Sequence, residues 1–304
     1  MICLGVKMKK ILCICLSSTI QRSVTFEKVQ LEHVNRSEHY VEHASGKAVN
    51  SARVLNQLEK GCVKIICPLG ENNAQHFLNL AQKDGLDISY VTIPGSTRIC
   101  WTLLDRTAGT TTEIVVGEPI EDISQQPEVK LLKLLVDFLP EIDAVLLAGS
   151  RPNIWSKDLY AAIAGMTKDA GKIFLADYIG DDLQLTLKSV TPDIIKINDE
   201  EFEKTFGVES VNLKTAITEK SRELQNMIVV TRGCDSTYAA KNGEFFECPA
   251  EVVKPVNTTA CGDSFNAGFL HDYLNNGDFM KALQKGTWAA ARNAESEIPG
   301  SINR

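Results

Sequence analysis

The 304-residue chain is short of the features that most quickly give a function away. It has no run approaching the roughly 20 apolar residues of a membrane span. Its nine cysteines include no CxxC pair and no zinc-type spacing; Cys13 and Cys15 sit one residue apart, Cys62 and Cys67 four. An odd, scattered set of this kind reads as reduced thiols, most of them buried, in a cytosolic protein. Positive charge is not in excess: 32 Lys and Arg stand against 39 Asp and Glu, a net charge of −7. That argues against an electrostatic nucleic-acid binder, which needs a basic face to displace counterions. It does not exclude a small anion in a locally basic pocket. No GxGxxG occurs. Ser45-Gly46-Lys47-Ala48 contains Gly-Lys but has neither the earlier glycine nor the following Ser or Thr of a P-loop, and the HRD and DFG strings of protein kinases are absent.

The chain also lacks repeats, low-complexity tracts and linkers. Apolar residues make up 44% and charged residues 23%, an ordinary globular balance. A chain of this length buries about 75% of its unfolded surface and needs no disulfide or metal to fold. Lys7-Met8-Lys9-Lys10 ahead of ILCICLSS faintly resembles a secretion signal. The apolar run is short and no small-residue cleavage site follows, so it reads as a buried first strand.

Short apolar runs then alternate with helical spacing. Ile11–Leu16, Val63–Cys67, Ala144–Ala148, Lys172–Ala176, Ile194–Ile197 and Met227–Thr231 are strand candidates. Lys47–Glu59, Asn73–Lys83, Pro127–Leu139, Lys157–Asp169 and a segment from Asp199 carry helical patterns. This alternation predicts an α/β fold with a mostly parallel sheet covered by helices on both faces. Two segments, at about 18–43 and 88–117, break the rhythm with β-branched residues and turn signals. They read as strands of a small β-sheet lid inserted into a single domain. Lys241-Asn242-Gly243 marks a late hairpin.

The most informative string is NTTACGDSFNAGF, Asn257 to Phe269. Small residues lead into a helical pattern of Phe265, Phe269, Tyr273 and Leu274 that ends at Asn276-Gly277. Such a turn leaves backbone N–H groups unpaired at the positive end of a helix dipole, where an anionic oxygen can bind. The carboxylate of Asp263 in that first turn either caps the helix or takes a proton from an acceptor hydroxyl during phosphoryl transfer. Lys47 opens a helix against its dipole, which suits an anionic partner nearby. Asn198 is placed to cap the helix that follows it. His33, His39 and His43 cluster in a lid segment and are not read as a metal site. Trp101, Trp155 and Trp288 read as core or lid-interface residues.

NTTACGDSFNAGF resembles the C-terminal signature DTxGAGDxF of the ribokinase-like (PfkB) carbohydrate kinases. Five further strings agree in order: HVNRSEHYVEHASGKAVNSARVLNQL with the GGKGxNvArvL region, STRICWTLLD and VVGEP with a TR…EPG lid, LLAGSRP with a sGSlP strand end, KINDEE with KpNxxE, and VVTRGCDS with vSlGxdG. The lid strings are most similar to the tagatose-6-phosphate kinase and 1-phosphofructokinase branch. The likeness covers nearly the whole chain.

The resemblance implies a cytoplasmic enzyme that uses ATP and Mg²⁺ to phosphorylate a hydroxyl on a sugar or sugar phosphate, such as tagatose 6-phosphate or fructose 1-phosphate. An unphosphorylated sugar, a sugar acid or a nucleoside is the alternative acceptor, and a non-catalytic sugar-phosphate-binding protein is the alternative of another class. By the resemblance, Asp263 is the general base and Ala260, Cys261 and Gly262 form the anion hole. Asn198 and Glu201 hold Mg²⁺ through water. Lys196, Thr231 and Gly233 line the nucleotide phosphates. Gln21, Gly46, Lys47, Asn50 and Arg98 contact the acceptor. Neither nucleic acid nor membrane is expected as a partner, and a homodimer through the lid is. The sequence departs from the family strings at three places. Gln21 stands where an aspartate is usual, GGKG has become Ser45-Gly46-Lys47-Ala48, and GAGD has become Ala260-Cys261-Gly262-Asp263. The last change puts a side chain where a positive φ is expected.

Overall fold

A computed structural model describes residues 8–117 and 126–303. Glu118-Pro119, the end of the VVGEP string, lie outside the described residues. In chain order the elements are β1 (Ile11–Ile14), β2 (Thr19–Phe26), β3 (Tyr40–Ser45), α1 (Lys47–Leu58), β4 (Val63–Gly70), α2 (Ala74–Lys83), β5 (Ile88–Ile93), β6 (Arg98–Asp105) and β7 (Thr110–Ile114). There follow α3 (Gln126–Phe138), β8 (Ala144–Ala148), α4 (Leu159–Asp169), β9 (Ile173–Asp177), α5 (Gly180–Ser189), β10 (Ile194–Asn198), α6 (Asp199–Phe206) and α7 (Leu213–Leu224). The chain continues through β11 (Met227–Thr231), β12 (Thr237–Lys241), β13 (Glu244–Cys248), α8 (Cys261–Asn276) and α9 (Phe279–Ala294).

A nine-stranded sheet runs in the order β13-β12-β11-β10-β9-β8-β1-β4-β5. Its pairs from β11 to β5 are parallel; the β11–β12 and β12–β13 pairs at one edge are antiparallel. Strands β1 and β8 are apolar at every position because both faces are covered. Alternation in β1 sends Ile11 and Cys13 to the face packed by α1, α2, α8 and α9. Leu12 and Ile14 go to the face packed by α3 to α7. This is the α/β arrangement expected from the strand–helix rhythm. The hairpin at Asn242-Gly243 has positive φ at both residues, as a two-residue turn between twisted strands requires.

The second, smaller sheet has the order β3-β2-β6-β7. One expected lid boundary changes. Ile88–Ile93 pairs in parallel with β4, with Ile65 opposite Ile88, and is the edge strand of the large sheet. An edge strand covered on one face alternates apolar and polar residues, so in sequence it looks like a strand outside the main sheet. The small sheet therefore takes from the second segment only β6 and β7.

Candidate active site

In an open parallel sheet the ligand crevice lies beyond the carboxyl ends of the strands. The polar side chains of this protein gather there. Asp177 ends β9 and Asn198 ends β10, with Lys196 two residues earlier, while Thr231 ends β11. The N-termini of α1 and α8 close on them from the side.

Asp263 lies in the first turn of α8 and is almost fully buried. Its Oδ2 accepts a hydrogen bond from Asn50 Nδ2 at 2.9 Å, and its backbone carbonyl accepts one from Ser51 Oγ at 2.8 Å. Burial raises its pKa to about 6; Asp177 adds to the rise, while Lys47, the Asn50 hydrogen bond and Lys196 oppose it. Asp177 has the opposite balance. Burial pushes its carboxyl up, but Lys196, Lys47 and Asn266 outweigh that and hold it at about 2. Lys47 Nζ is 3.1 Å from Asp177 Oδ1, Lys196 Nζ is 3.5 Å from Oδ2, and Asn266 Nδ2 donates to Oδ2 at 2.5 Å. The field of Asp177 in turn raises the pKa of Lys47, with burial opposing and Glu201 and Asp263 assisting.

The turn before α8 leaves backbone donors without helical partners. Ala260 is its N-cap in the left-handed region, φ 66°, and supplies no side-chain cap. The expected positive φ is therefore real, and a β-carbon occupies it at a cost of about 1–2 kcal/mol. Cys261 N–H turns back to Thr258 O at 3.3 Å, and the first bond of the helix runs from Ser264 N to Ala260 O. The amides of Gly262 and Asp263 are thus the first-turn donors with no partner inside the helix. A methyl group on Gly262 would come 2.8 Å from Lys196 Nζ, so that ammonium lies against the turn. Burial pushes the Cys261 thiol up, with the Asn293 hydrogen bond opposing.

Gly46, just before α1, has φ 123°, and a β-carbon there would lie 2.5 Å from Cys15 Sγ and 3.0 Å from the Ser17 carbonyl. Only glycine fits that approach. Arg98 opens β6 and donates to Ser17 Oγ at 2.6 Å and to Val116 O at 3.3 Å, which places it over the same corner. Gln21 is in β2 opposite His43 and Cys100, and its amide nitrogen donates to Thr102 Oγ1 at 2.8 Å within the small sheet. It is tied to that sheet, whereas Lys47, Asn50, Lys196 and Asp263 meet around Asp177. The small sheet itself reaches the α8 turn, because Glu113 of β7 accepts a hydrogen bond from Thr259 Oγ1 at 2.7 Å.

Asn198 and Glu201 form a reciprocal capping box at α6, each side chain bonded to the other's backbone N–H at 2.8 Å. Glu201 Oε1 remains directed at the cleft, 3.7 Å from Lys47 Nζ. Among the described residues no group of three or more His, Cys, Asp or Glu is placed to cage a metal. One carboxylate oxygen at the cleft does fit Mg²⁺, an ion that keeps several waters and leans on substrate phosphates.

Beyond the turn opens a cavity of about 450 Å³, lined by Thr231, Gly233, Cys261, Gly262, Val253 and Ala291 among others. Its size and mixed lining suit a nucleotide-sized molecule. Sequence reasoning did not single out Asp177, Asn266, Arg53 or Asn293, all polar and buried in this region. Asp177 had a usable signal, an acid at the carboxyl end of the apolar strand IFLAD. The other three sit inside helices, where nothing in the local pattern marks them. Trp155 is buried, its Nε1 donating to Leu16 O.

Residues 8–302 match the pfkB family carbohydrate kinase pattern. A tagatose-6-phosphate kinase of Staphylococcus epidermidis is 27% identical over 300 residues, covering 96% of this chain and 94% of that protein. Phosphofructokinase-2 of Escherichia coli, solved with potassium, superposes with a TM-score of 0.85 at 16% identity, over 96% of this chain and 94% of the other. Ribokinase of Thermotoga maritima gives 0.71 at 21% identity, over 97% and 95%. The two structures share the ribokinase-like fold with this protein. With its match running almost from end to end, the chain belongs to the pfkB family of carbohydrate kinases.

Proposed function

We propose that this carbohydrate kinase transfers the terminal phosphoryl group of ATP to a hydroxyl of a phosphorylated ketohexose, such as tagatose 6-phosphate or fructose 1-phosphate. The observation that carries the reading is the pairing of a buried carboxyl, Asp263, with unpaired amides of its own helix turn. A base and an anion hole in the same helix turn suit in-line phosphoryl transfer, since positioning and charge neutralisation supply most of the rate.

In this reading the nucleotide occupies the cavity beside Thr231 and Gly233, with its phosphates toward Lys196 and the turn of Ala260, Cys261 and Gly262. The acceptor lies against Gly46, Lys47 and Asn50, with Arg98 and Gln21 on the small-sheet side. Asp263 takes the hydroxyl proton as the oxygen attacks. Its raised pKa suits it to accept a proton near neutral pH. The Gly262 amide and Lys196 receive the charge that builds on the transferred group. Mg²⁺, reached from Glu201 and Asn198 through water, would neutralise phosphate oxygens. The small sheet serves as a lid that excludes water. Tyr40, Ile114 and Val115 are exposed on or beside it, which favours a second copy of the chain covering that surface. The S. epidermidis relative supports the phosphosugar acceptor.

The test is ADP release measured over a panel of free and phosphorylated ketohexoses. Turnover with a phosphoketohexose, lost through acceptor KM in Arg98→Ala, is expected. Turnover restricted to free sugars, or indifference to Arg98→Ala, would overturn the acceptor assignment. Binding without ADP release would overturn the reaction. Among the described residues no helix is long and apolar enough to cross a membrane.

A further inference from the structure

The C-terminal segment after α9 belongs to no sequence motif, yet one of its peptide groups holds both halves of the candidate site. The carbonyl of Pro299 accepts a hydrogen bond from Arg53 Nη1 at 3.0 Å. The N–H of the same peptide, on Gly300, donates to Asn293 Oδ1 at 2.6 Å. The oxygen and hydrogen of a trans peptide point in opposite directions, so one rigid plane reaches an arm on either side.

The first arm leads to the carboxyl. Arg53 is buried, with Nε on Asp84 at 2.8 Å and Nη2 on the Ala44 carbonyl. Its Nη1 also donates to Asn50 Oδ1 at 3.1 Å, and Ser45 Oγ donates to the same oxygen at 2.8 Å. With two donors on its oxygen, the Asn50 amide can present only its nitrogen to Asp263, and it does so at 2.9 Å. The second arm leads to the anion turn. Asn293, fully buried in α9, donates to Thr259 O at 2.8 Å and to Cys261 Sγ at 3.3 Å.

The tail is fixed in register by other bonds. Gln57 Nε2 donates to Gly300 O at 2.8 Å, and Ile302 N donates to Gln57 Oε1 at 2.9 Å. Gly300 has φ 74°, and a β-carbon there would lie 3.0 Å from Arg53 Nη1 and 3.1 Å from Asn50 O. A side chain at Gly300 would therefore be strained in its backbone and would press on the Arg53–Asn50 pair.

We propose that the Pro299–Gly300 peptide is a positioning element of the active site, setting Asp263 through Arg53 and Asn50 and the 259–261 turn through Asn293. The proposal rests on the reading of Asp263 as the base. The charged groups that face Asp263 are Lys47 on α1, Asp177 on β9 and Lys196 on β10, none of which the tail touches. The tail acts on the carboxyl through the neutral amide of Asn50.

Gly300→Ala tests this while keeping every hydrogen-bonding side chain. The expected result is a fall in kcat of about ten- to a hundredfold with little change in either KM, as for a small misplacement of reacting groups. The acid limb of the kcat–pH profile should move upward, because Asp263 loses a donor to its charged form. Leu274→Ala, a partly buried core contact at the far end of α8, serves as the stability control and should lower Tm with kcat retained. A Gly300→Ala enzyme with normal kcat and an unmoved acid limb would overturn the proposal, as would a loss no greater than that of Leu274→Ala. If Gly300→Ala does not fold, Arg53→Lys keeps the charge beside Asp84 but loses the fork; the same selective loss of kcat is expected, and normal kcat refutes the idea. If the wild type turns over no acceptor, the functional reading has failed. The positioning claim is then judged by ¹³C NMR of the Asp263 carboxyl, whose pKa should rise in either variant and whose constancy would contradict it.

Discussion

Asp177 and Asp263 are two buried carboxyls in one cleft, and their surroundings push them in opposite directions. Asp177 is clasped by Lys47, Lys196 and Asn266 and stays ionised down to a pKa of about 2. Asp263 has one amide donor, Asn50, and its pKa rises to about 6. Equal burial does not give equal chemistry; the number of partners decides. Two carboxyls driven apart in this way divide the labour of a site. Asp177 organises the cations, and Asp263 is left able to exchange a proton near neutral pH.

The sharpest way to break the comparison is to neutralise each member and read stability. Asp177→Asn leaves the buried Lys196 ammonium without its partner, while the more exposed Lys47 is screened by solvent, and a loss of about 3 kcal/mol is expected in urea unfolding. Asp263→Asn should act with the opposite sign. A carboxyl that holds its proton more tightly when folded favours folding below about pH 4, and that contribution is lost as pH rises through about 6. Removing the charge should therefore stabilise the protein at pH 7.5 by about 2–3 kcal/mol. Asp177, with its depressed pKa, contributes stability above about pH 4 that is lost as pH falls through about 2. Equal signs for the two variants in the same unfolding experiment would remove the contrast.

In catalysis the same contrast predicts a kcat/KM profile that falls on the acid side with an apparent pKa near 6, as Asp263 takes up a proton. A profile flat from pH 5 to pH 8 would show that no group of this kind is being used. The smallest effect concerns the turn that carries Asp263. Ala260→Gly relieves a left-handed alanine and should raise stability by about 1 kcal/mol, read by thermal unfolding. A loss of stability would mean that the methyl group packs better than its backbone conformation costs.

Much of this contrast could be read in the sequence on one side only. Asp263 announces itself because small residues and an acid precede a helical pattern, and Asn50, Lys47 and Lys196 follow from strings that keep their order. The large sheet is legible because strands covered on both faces become continuous apolar runs. Ile88–Ile93 is not, because an edge strand and a lid strand share the same alternation. Asp177 and Asn266 are 89 residues apart, and Asn50 and Asp263 are 213 apart. No local pattern reports that such residues meet. Arg53, Asn293 and Gly300 are hidden for the same reason, since each reads locally as an ordinary helix or tail residue. The sequence marks groups that sit at turns; only the closed fold shows which buried partners set their charge.

The most direct test of the central claim is the turnover of Asp263→Asn in the ADP-release assay, with ATP binding measured on the same sample. Loss of turnover by about 10²–10⁴-fold with ATP still bound is the predicted result. Near-normal turnover in a variant that has lost this carboxylate would contradict the account.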